Sequence, residues 1–435
     1  MAKKKMTFEE KLDEAIVKDA TYEVPENWTW TYMNNIGEYI NGKAFKPIDW
    51  DTKGLPIIRI QNLTGTNNEF NYFSGEIEEK YKIVNNDLLM AWSATLDAFL
   101  WNGNDAVLNQ HIFKVRSLIN KKYHYYLLKN TIQEMYSKTH GTGMVHITKG
   151  KFEKLEVPLP PLKEQQRIVD KIESLFEKLD KAKELIEEAR DDFEKRKSAI
   201  LEKAFRGELT KVWRKENNIN REWKREKLKD ITKVTSGGTP SRKHPEYFEG
   251  KIPWIKTGEI LWNKIYDSEE HITEEAIANS SAKLIPEGAV LVAMYGQGLT
   301  RGRASILEKE ACTNQAVCAL IPSDAVLNSY LYYYFMSNYW RFRQVAKGGN
   351  QENLSGKVIG AFEIDIPSIE EQNEIVRILD KLLEEESKIE ELTTLEEQIE
   401  LIKKSILAKA FRGQLGTNSE DDESAIELLK EILNK

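Results

Sequence analysis

A regular alternation of apolar and charged residues runs from about Leu162 to Phe205. Apolar residues recur at alternating spacings of three and four positions with Lys and Glu between them, which predicts one long helix with a coiled-coil seam. Such a helix would be about 65 Å long, and its apolar stripe needs a partner. The seam consists of Ile168, Ile172, Leu175, Leu179, Ala182, Ile186, Ala189, Phe193 and Ile200, with Arg196 as a polar interruption.

The same pattern recurs about two hundred residues later. "PPLKEQQRIVDKI" from Pro160 matches "PSIEEQNEIVRIL" from Pro367, and "KAFRGELT" matches "KAFRGQLG". Parallel and antiparallel pairing of the two helices are both topologically open. We expect antiparallel pairing, which relates the copies by a pseudo-two-fold axis and places one globular domain at each end. The second seam consists of Ile375, Leu379, Leu382 and Ile389, followed after a change of phase at Leu392 and Leu395 by Ile399, Ile402 and Ile406.

The segment before each helix contains short β-branched or aromatic runs separated by Gly, Asn and Pro. This pattern predicts an α+β protein in which two repeated mixed α/β domains are joined by the long helices. The expected boundaries are an amphipathic arm at 1–21, a globular domain at 22–160, a helical spacer at 161–207, a second globular domain at 208–366, a second spacer at 367–413, and an acidic linker with a short helix at 414–435.

Charge becomes informative only when it is divided along the chain. The net charge is −7, but residues 367–435 hold 9 basic and 18 acidic residues, whereas residues 211–366 hold 22 basic and 19 acidic ones. A polyanion responds to the local field, so the acidic average does not exclude nucleic acid. No run of about 18 apolar residues occurs, which predicts a cytoplasmic protein without a membrane span.

Motifs for catalysis are absent. The sequence has no phosphate-binding G-x-x-x-x-G-K-[ST] motif and no dinucleotide fingerprint, and its six histidines lack metal-ligand spacing. Cys312 and Cys318 have no second pair, which predicts reduced, buried residues rather than a zinc site. We therefore expect no catalytic and no metal-binding residues, although an unrecognised active site stays open as an alternative.

The globular halves instead contain loops that mix small, basic, amide and aromatic residues, which can reach phosphates and base edges. Ordinary turns are the alternative for each loop. The candidates in the second half are Gly238, Thr239, Ser241, Arg242 and Lys243 of "SGGTPSRKHPEY", Lys256 of "KTGEI", Tyr295, Gln297, Arg301 and Arg303 of "MYGQGLTRGRAS", and Lys347 and Asn350 of "VAKGGNQENLSG".

The first half has equivalent loops. Its candidates are Lys43 and Lys46 of "INGKAFK", Arg59, Gln61 and Asn62 of "RIQNL", Ser93 of "AWSATL", and Thr142 and His146 of "HGTGMVHI".

Two shared features have competing interpretations. The Asn-Gln pairs at Asn109 and Asn314 could read adenine, but specificity should differ between the halves, so a structural role is favoured. The repeated "AFRG" either ends the two helices or also presents one docking surface to two identical partners.

The quoted segments, together with "IPWIKTGEI" and "ESAIELLKEIL", resemble the specificity subunit of a Type I restriction-modification system. The resemblance covers nearly the whole chain, although the first half opens with "INGKAFKPIDW" where the second has "SGGTPSRKHPEY". It implies that each globular half is a target recognition domain that reads one part of a split target in double-stranded DNA. The helices would then be conserved spacers whose length sets the gap between the two parts.

The resemblance also implies partners. Two methylation subunits with S-adenosylmethionine would dock on the helices, and restriction subunits that use ATP and Mg would join through them. This chain would itself hold no cofactor and perform no chemistry. A coiled-coil scaffold that assembles proteins without recognising DNA is the alternative function.

Overall fold

The protein is described from a computed structural model that covers residues 6–138, 147–220, 222–296, 299–345, 354–387 and 391–435. The chain divides into two compact units. Unit 1 comprises Met1–Leu185 and Thr394–Lys435, and unit 2 comprises Ile186–Thr393. Each unit therefore contains one globular domain, the start of one long helix and the end of the other.

The helices and strands of the first half follow the order arm, globular domain, long helix. The helices are α1 (Phe8–Ala15), α2 (Met33–Ile36), α3 (Ile60–Leu63), α4 (Lys121–Lys138), α5 (Lys149–Phe152) and α6 (Leu162–Phe205). The strands are β1 (Thr29–Tyr32), β2 (Gly37–Asn41), β3 (Leu55–Ile58), β4 (Asn71–Phe73), β5 (Lys82–Ile83), β6 (Leu88–Ala91), β7 (Asp97–Leu100), β8 (Ala106–Leu108), β9 (Ile112–Ser117) and β10 (Glu156–Leu159).

The second half repeats this order and ends with an additional short helix. Its helices are α7 (Lys211–Glu216), α8 (Leu228–Ile231), α9 (Glu274–Ala278), α10 (Asn328–Ser337), α11 (Tyr339–Val345), α12 (Gly356–Gly360), α13 (Ile369–Ser387), α14 (Glu391–Ala410) and α15 (Ala425–Leu433). Its strands are β11 (Lys224–Lys227), β12 (Val234–Ser236), β13 (Ile252–Ile255), β14 (Lys264–Ile265), β15 (His271–Ile272), β16 (Val290–Ala293), β17 (Ala304–Leu307), β18 (Cys312–Thr313), β19 (Val317–Leu320) and β20 (Glu363–Ile366).

The sheets of the two units share one plan. A larger sheet has the order β2-β9-β6-β7 in unit 1 and β12-β19-β16-β17-β14 in unit 2. A smaller sheet has the order β4-β3-β8-β5 or β15-β13-β18, and its central pair, β3 with β8 or β13 with β18, is parallel. A two-stranded antiparallel sheet, β1 with β10 or β11 with β20, joins the two ends of each globular domain. The expected α+β repeat is confirmed.

The long helix α6 has the bounds that its apolar pattern predicts. In unit 1 its first turns contribute Ile168 and Ile172 to a core that also contains Leu407 and Ala410 from the end of α14. In unit 2 the last turns of α6 share a core with the first turns of α13, through residues that include Leu201 and Ile375. Because starts meet ends in both units, the helices are antiparallel.

The predicted seam residues differ in burial. Ile168, Ile172, Phe193, Ile375, Leu379 and Ile399 are buried, whereas Leu175, Leu179, Ile186, Ile200, Leu382 and Ile406 are half-buried. Ile389 lies outside the described residues.

The prediction that Ile402 belongs to the seam is wrong, because 45% of its surface is exposed. The seam runs instead from Ile399 through Lys403 to Ile406, at spacings of four and three. Lys403 forms an ion pair with Asp180 at 2.5 Å and lies 5.6 Å from the ring centroid of Phe176. Its long side chain covers apolar surface while its ammonium group pairs with the exposed Asp180, which a pattern of apolar letters does not reveal.

Both copies of "AFRG" end a helix and join it to a globular domain. Phe205 packs 5.1 Å from Tyr330, and Phe411 packs 5.4 Å from Tyr123, measured between ring centroids. Gly207 and Gly413 follow with φ of 70° and 69°, the left-handed conformation that glycine adopts without strain. The helix-ending interpretation therefore accounts for Ala, Phe and Gly of each copy.

The segment at 414–435 is anchored to unit 1, contrary to the expectation of a flexible acidic linker. Asp422 pairs with Arg167, and the backbone oxygens of Thr417 and Ser419 accept hydrogen bonds from the side chains of Arg167 and Asn27 at 2.8 and 3.0 Å. Helix α15 then packs against α1 and α2, and Leu429 is fully buried. The acidic segment is ordered because Arg167 and Asn27 of unit 1 bind its carboxylate and backbone oxygen atoms.

Candidate nucleic-acid interface

The parallel strand pair of the small sheet places a cation at the same point in each unit. Asn109 donates its backbone N–H to Ile58 O at 3.1 Å, and Asn314 donates to Ile255 O at 3.0 Å. Arg59 and Lys256 are the next residues after those acceptors. Their own backbone N–H groups are capped by Asn62 Oδ1 at 3.0 Å and Glu259 Oε1 at 2.8 Å. We call this point the cation corner.

The cation corner of unit 1 consists of Lys43 and Arg59 lying on aromatic rings. The ammonium group of Lys43 is 4.9 Å from the centroid of Phe73, and the guanidinium group of Arg59 is 4.7 Å from that of Trp50. Within the described residues neither cation has an ion-pair partner. A ring face attracts a cation without neutralising it, so in the described part of the chain no carboxylate within ion-pair distance offsets these two cations.

The cation corner of unit 2 consists of Arg242 and Lys256, joined by acidic residues. Arg242 lies 4.0 Å from the ring centroid of Phe248 and pairs with Glu270 at 2.6 Å. Lys256 pairs with Glu269 at 3.0 Å and with Glu270 at 3.2 Å. Glu269 and Glu270 balance the charge of the two cations, and the carboxylate of Glu259 caps the backbone of Lys256, so this corner has no excess of positive charge.

The pKa values at this corner follow from these contacts. Burial acts to raise the pKa of Glu270, but hydrogen bonds from Arg242 and Lys256 outweigh it and lower that pKa below its ordinary value. Hydrogen bonds to Glu269 and then Glu270 raise the pKa of Lys256. Glu270 and Lys256 are therefore both charged at neutral pH.

The other candidates of unit 1 differ in exposure and in hydrogen bonding. Lys46 is exposed on a short turn, next to Ile48, of which 89% is exposed. Gln61 and Ser93 are half-buried. Asn62 is less suited to reading DNA, because its amide group donates to the backbone oxygens of Asn67 and Glu69 at 3.0 and 2.9 Å. Its side chain thus shapes the loop that carries Arg59.

Gly238 also has a structural role. It is buried, donates its N–H to Thr313 O at 2.9 Å and accepts the indole N–H of Trp254 at 3.0 Å. A Cβ atom at this position would lie 2.3 Å from the backbone of Ser281. The close approach that this glycine permits is therefore to its own domain rather than to a ligand. The neighbouring Thr239, Ser241 and Lys243 are exposed.

Tyr295, Arg301 and Arg303 belong to a second group in unit 2. Tyr295 is 38% exposed, and the two arginines are half-buried on either side of Gly302. Arg303 lines an open cavity of about 950 Å³. Gln297, Lys347, Asn350, Thr142 and His146 lie outside the described residues.

Sequence reasoning missed several residues around these groups. Glu270, Trp50 and Phe73 hold the predicted cations, and Trp340 is exposed over 63% of its surface beside Arg341 on α11. The run "YWRFR" of α11 alternates aromatic residues with arginine and could have been noticed. Glu270 gave no such signal, because its role depends on two cations that lie elsewhere in the chain.

The Asn-Gln pairs have different surroundings in the two units. Asn314 Oδ1 accepts hydrogen bonds from Thr257 Oγ1 at 3.2 Å and from the backbone of Ala316 at 3.1 Å, so its amide oxygen stabilises the turn after β18. The side chain of Gln110 is exposed and contacts His111 at 3.3 Å. The contacts of Asn314 fit the structural role favoured from sequence.

Comparison with known proteins shows the family. The family model described as Type I restriction modification DNA specificity domain matches residues 25–190 and 220–401. The specificity subunit of the Type I restriction enzyme EcoBI from Escherichia coli is 25% identical over 423 residues, which cover 90% of this chain and 87% of that protein. The MjaVIII specificity subunit from Methanocaldococcus jannaschii is 26% identical, covering 90% of this chain and 94% of that protein.

Solved structures show the same fold. A chain from a structure on complex assembly and conformational transition of the type I R-M system has a TM-score of 0.72 at 20% identity, covering 91% of this chain and all of that one. The crystal structure of the HsdS subunit from Thermoanaerobacter tengcongensis has a TM-score of 0.54 at 18% identity, covering 92% of this chain and all of that one.

The chain belongs to the Type I restriction-modification specificity subunit family, and it contains the family's recognition domain twice. Such subunits determine DNA target specificity and are non-catalytic, since catalysis lies in partner subunits. Family membership sets aside the interpretation as a scaffold alone. Among the described residues, no group of His, Cys, Asp and Glu is arranged to hold a metal ion. The helices in that part of the chain are also too short or too polar to span a membrane.

Proposed function

We propose that the two cation corners, with the loops around them, read the two halves of a split target in double-stranded DNA. The observation that carries this proposal is that one strand frame recurs in both units while the side chains on it differ. Aromatic rings alone hold Lys43 and Arg59 in unit 1, whereas in unit 2 carboxylates pair with Lys256 and with Arg242, which also lies on a ring. A shared frame with different contact groups would give each half a different base sequence to recognise.

The long helices would serve the assembly. Two methylation subunits that bind S-adenosylmethionine would dock on them, and restriction subunits that use ATP and Mg would join through the methylation subunits. The whole complex would act on cytoplasmic DNA, and the lengths of α6, α13 and α14 would set the gap between the half-sites. The exposed arginines of the two "AFRG" copies, Arg206 and Arg412, are candidates for contacts that both methylation subunits share.

Adenine methylation across a genome tests this proposal directly. Cells with the complete system should show one methylated motif of two parts separated by a fixed gap, and the motif should disappear when this gene alone is removed. Replacing residues 22–160 with the corresponding domain of a relative should change one part of the motif and leave the other part intact. A change in both parts, or a continuous motif, would contradict one half-site per domain.

Binding measurements test the corner of unit 1. Arg59→Gln removes a positive charge that no carboxylate neutralises, so affinity for any duplex should fall and the salt slope should decrease by about one contact, or about 0.9 in log units. Arg116→Gln is the matched control, because Arg116 is an exposed arginine of unit 1 that already pairs with Glu38 at 3.2 Å. Equal effects of the two substitutions would argue against a corner-specific phosphate contact.

A further inference from the structure

Arg242 is held on three sides within unit 2. Its guanidinium group lies 4.0 Å from the ring centroid of Phe248 and 5.3 Å from that of Trp254, and one Nη atom is 2.6 Å from Glu270 Oε2. Its side chain nevertheless remains 56% exposed. An arginine held this way has lost most of its rotamer freedom before any ligand arrives, while several of its five N–H donors still face solvent.

Glu270 is itself fixed by the buried residue Trp254. The backbone N–H of Trp254 donates to Glu270 O at 2.8 Å, and Ser268 Oγ donates to Trp254 O at 2.9 Å. Trp254 is 3% exposed, and its indole also donates to Gly238 O. The carboxylate therefore projects from a rigid part of the small sheet, and it reaches both Arg242 and Lys256.

Charge decides what this corner can recognise. Arg242 and Lys256 are paired with Glu269 and Glu270, and the Glu259 carboxylate also lies at this corner, so the group offers little net attraction to a phosphate. An oriented guanidinium group retains its directional donors, and the major-groove edge of guanine presents two acceptors, O6 and N7, that match such a fork. A paired guanidinium group with oriented donors is better suited to hydrogen-bonding a base edge than to binding the phosphates of the DNA backbone.

Unit 1 provides an internal comparison. Strand β3 pairs with β4 as β13 pairs with β15. Asn71 lies opposite Ile57, and continuing the register of β13 and β15 by one residue places Glu270 opposite Trp254. Asn71 of unit 1 therefore corresponds to Glu270 of unit 2. Asn71 is neutral, and the cations of that corner lie on rings. The carboxylate is thus a feature of unit 2 added to a shared frame, as expected of a residue that contributes to the specificity of one half.

We propose that Glu270 is a positioning residue that orients Arg242 to read a guanine in the half-site of unit 2. This inference rests on the proposed function and names one base contact within it. Arg242 makes the contact, and Glu270 acts only through Arg242.

The test uses the full chain assembled with its methylation subunits and duplexes that contain the recognised sequence. Each guanine of the two half-sites is replaced in turn by 7-deazaguanine, which lacks the N7 acceptor but still pairs with cytosine. With the wild-type chain, one replacement in the half-site of unit 2 should weaken binding by about tenfold to hundredfold. Arg242→Lys should remove this discrimination while keeping the salt slope, because it preserves the charge.

Glu270→Gln is the decisive variant. It should reduce the discrimination severalfold towards none, while the lost negative charge raises the salt slope by no more than about one contact, or about 0.9 in log units. Glu246→Gln is the matched control, because Glu246 is an exposed glutamate of the same unit that pairs with His244. Discrimination at guanines of the other half-site, measured in the same samples, shows whether the variant is folded and assembled.

Three results would overturn the inference: no guanine of this half-site is sensitive to loss of N7, Glu270→Gln keeps the full discrimination, or Glu270→Gln strengthens binding to all duplexes equally. The last result would mean that Glu270 only screens charge. Failure of the proposed function itself looks different, since the wild-type assembly would then show no preference for any sequence.

Discussion

The indole N–H of Trp28 donates a hydrogen bond to the fully buried carboxylate of Glu164 at 2.7 Å. In unit 2, Trp223 donates to the buried Glu371 at 3.0 Å. Each tryptophan precedes the first strand of a globular domain, and each glutamate lies in the first turn of a long helix. The pair therefore fixes the helix to the domain it follows, in both units.

The two glutamates differ in their remaining partners. Glu164 accepts hydrogen bonds from Thr417 at 3.2 Å and Asn418 at 2.8 Å, whereas Glu371 accepts from Thr210 at 2.6 Å and from the guanidinium group of Arg214. Thr417 and Thr210 each follow an "AFRG" copy. The segment after each helix thus completes the joint at the start of the other one.

We expect Glu371→Gln to destabilise unit 2 more than Glu164→Gln destabilises unit 1. Loss of Glu371 leaves the buried guanidinium group of Arg214 without its carboxylate, which should cost about 3–5 kcal/mol. Loss of the Glu164 charge weakens hydrogen bonds from neutral donors and should cost about 1.5–3 kcal/mol. Hydrogen–deuterium exchange resolved by peptide measures the loss of protection in each unit separately. Arg225→Gln, at an exposed ion pair of unit 2, should leave protection unchanged, and equal losses for the two glutamates would contradict the comparison.

Substitution of Gly413 by alanine should cost more than substitution of Gly416. Both have φ near the same left-handed value, 69° and 68°, so each alanine should pay about 1–2 kcal/mol for its backbone conformation. A Cβ atom at Gly413 would also lie 2.5 Å from Pro25, whereas one at Gly416 meets no atom within 4 Å. The difference between the two free energies of unfolding, measured in urea, isolates the contact with Pro25. Equal free energies of unfolding for the two variants would contradict this prediction, because they would mean that Pro25 moves away from the new Cβ atom without loss of stability.

The stability of unit 1 should decrease on acidification because of His124. Burial lowers the pKa of His124 to about 3, and the ring lies between Tyr39 Oη at 2.8 Å and Ser117 Oγ at 2.9 Å. In the unfolded chain the imidazole of His124 binds a proton near pH 6.5, whereas in the folded chain it does not. The contribution of neutral His124 to stability is therefore fully present above pH 6.5. It should fall by about 1.4 kcal/mol for each pH unit below 6.5, until the folded pKa is reached.

Two measurements check this prediction. The ring resonances of His124 should show a neutral imidazole at pH 5. His124→Gln should make the unfolding free energy of unit 1 less dependent on pH between 6.5 and 4, even if it lowers its value at pH 7. An unchanged pH dependence would show that other groups dominate acid unfolding.

Sequence reasoning located the cations of both corners but not the groups that hold them. Lys43, Arg59, Arg242 and Lys256 stand out because basic residues in Gly- and Asn-rich loops are a local signal. Their supports come from other strands and turns, so their roles exist only after the small sheets form. Gly238 and Asn62 were assigned to DNA from the same local signal. The sequence did not show that Thr313 and Trp254 would occupy the hydrogen-bonding groups of Gly238, or that Asn67 would accept from Asn62.

The sequence by itself determined the repeat and the bounds of α6, because apolar periodicity and helix-ending glycines act over a few neighbouring residues. Only the tertiary structure decided that Lys403 rather than Ile402 lies in the seam, that residues 414–435 close the joint at Glu164, and that Glu270 joins two cations. Each of these depends on burial and charge pairing between residues far apart in the chain. Local patterns do not encode such contacts, since the free energy of a contact depends on what folding brings beside it.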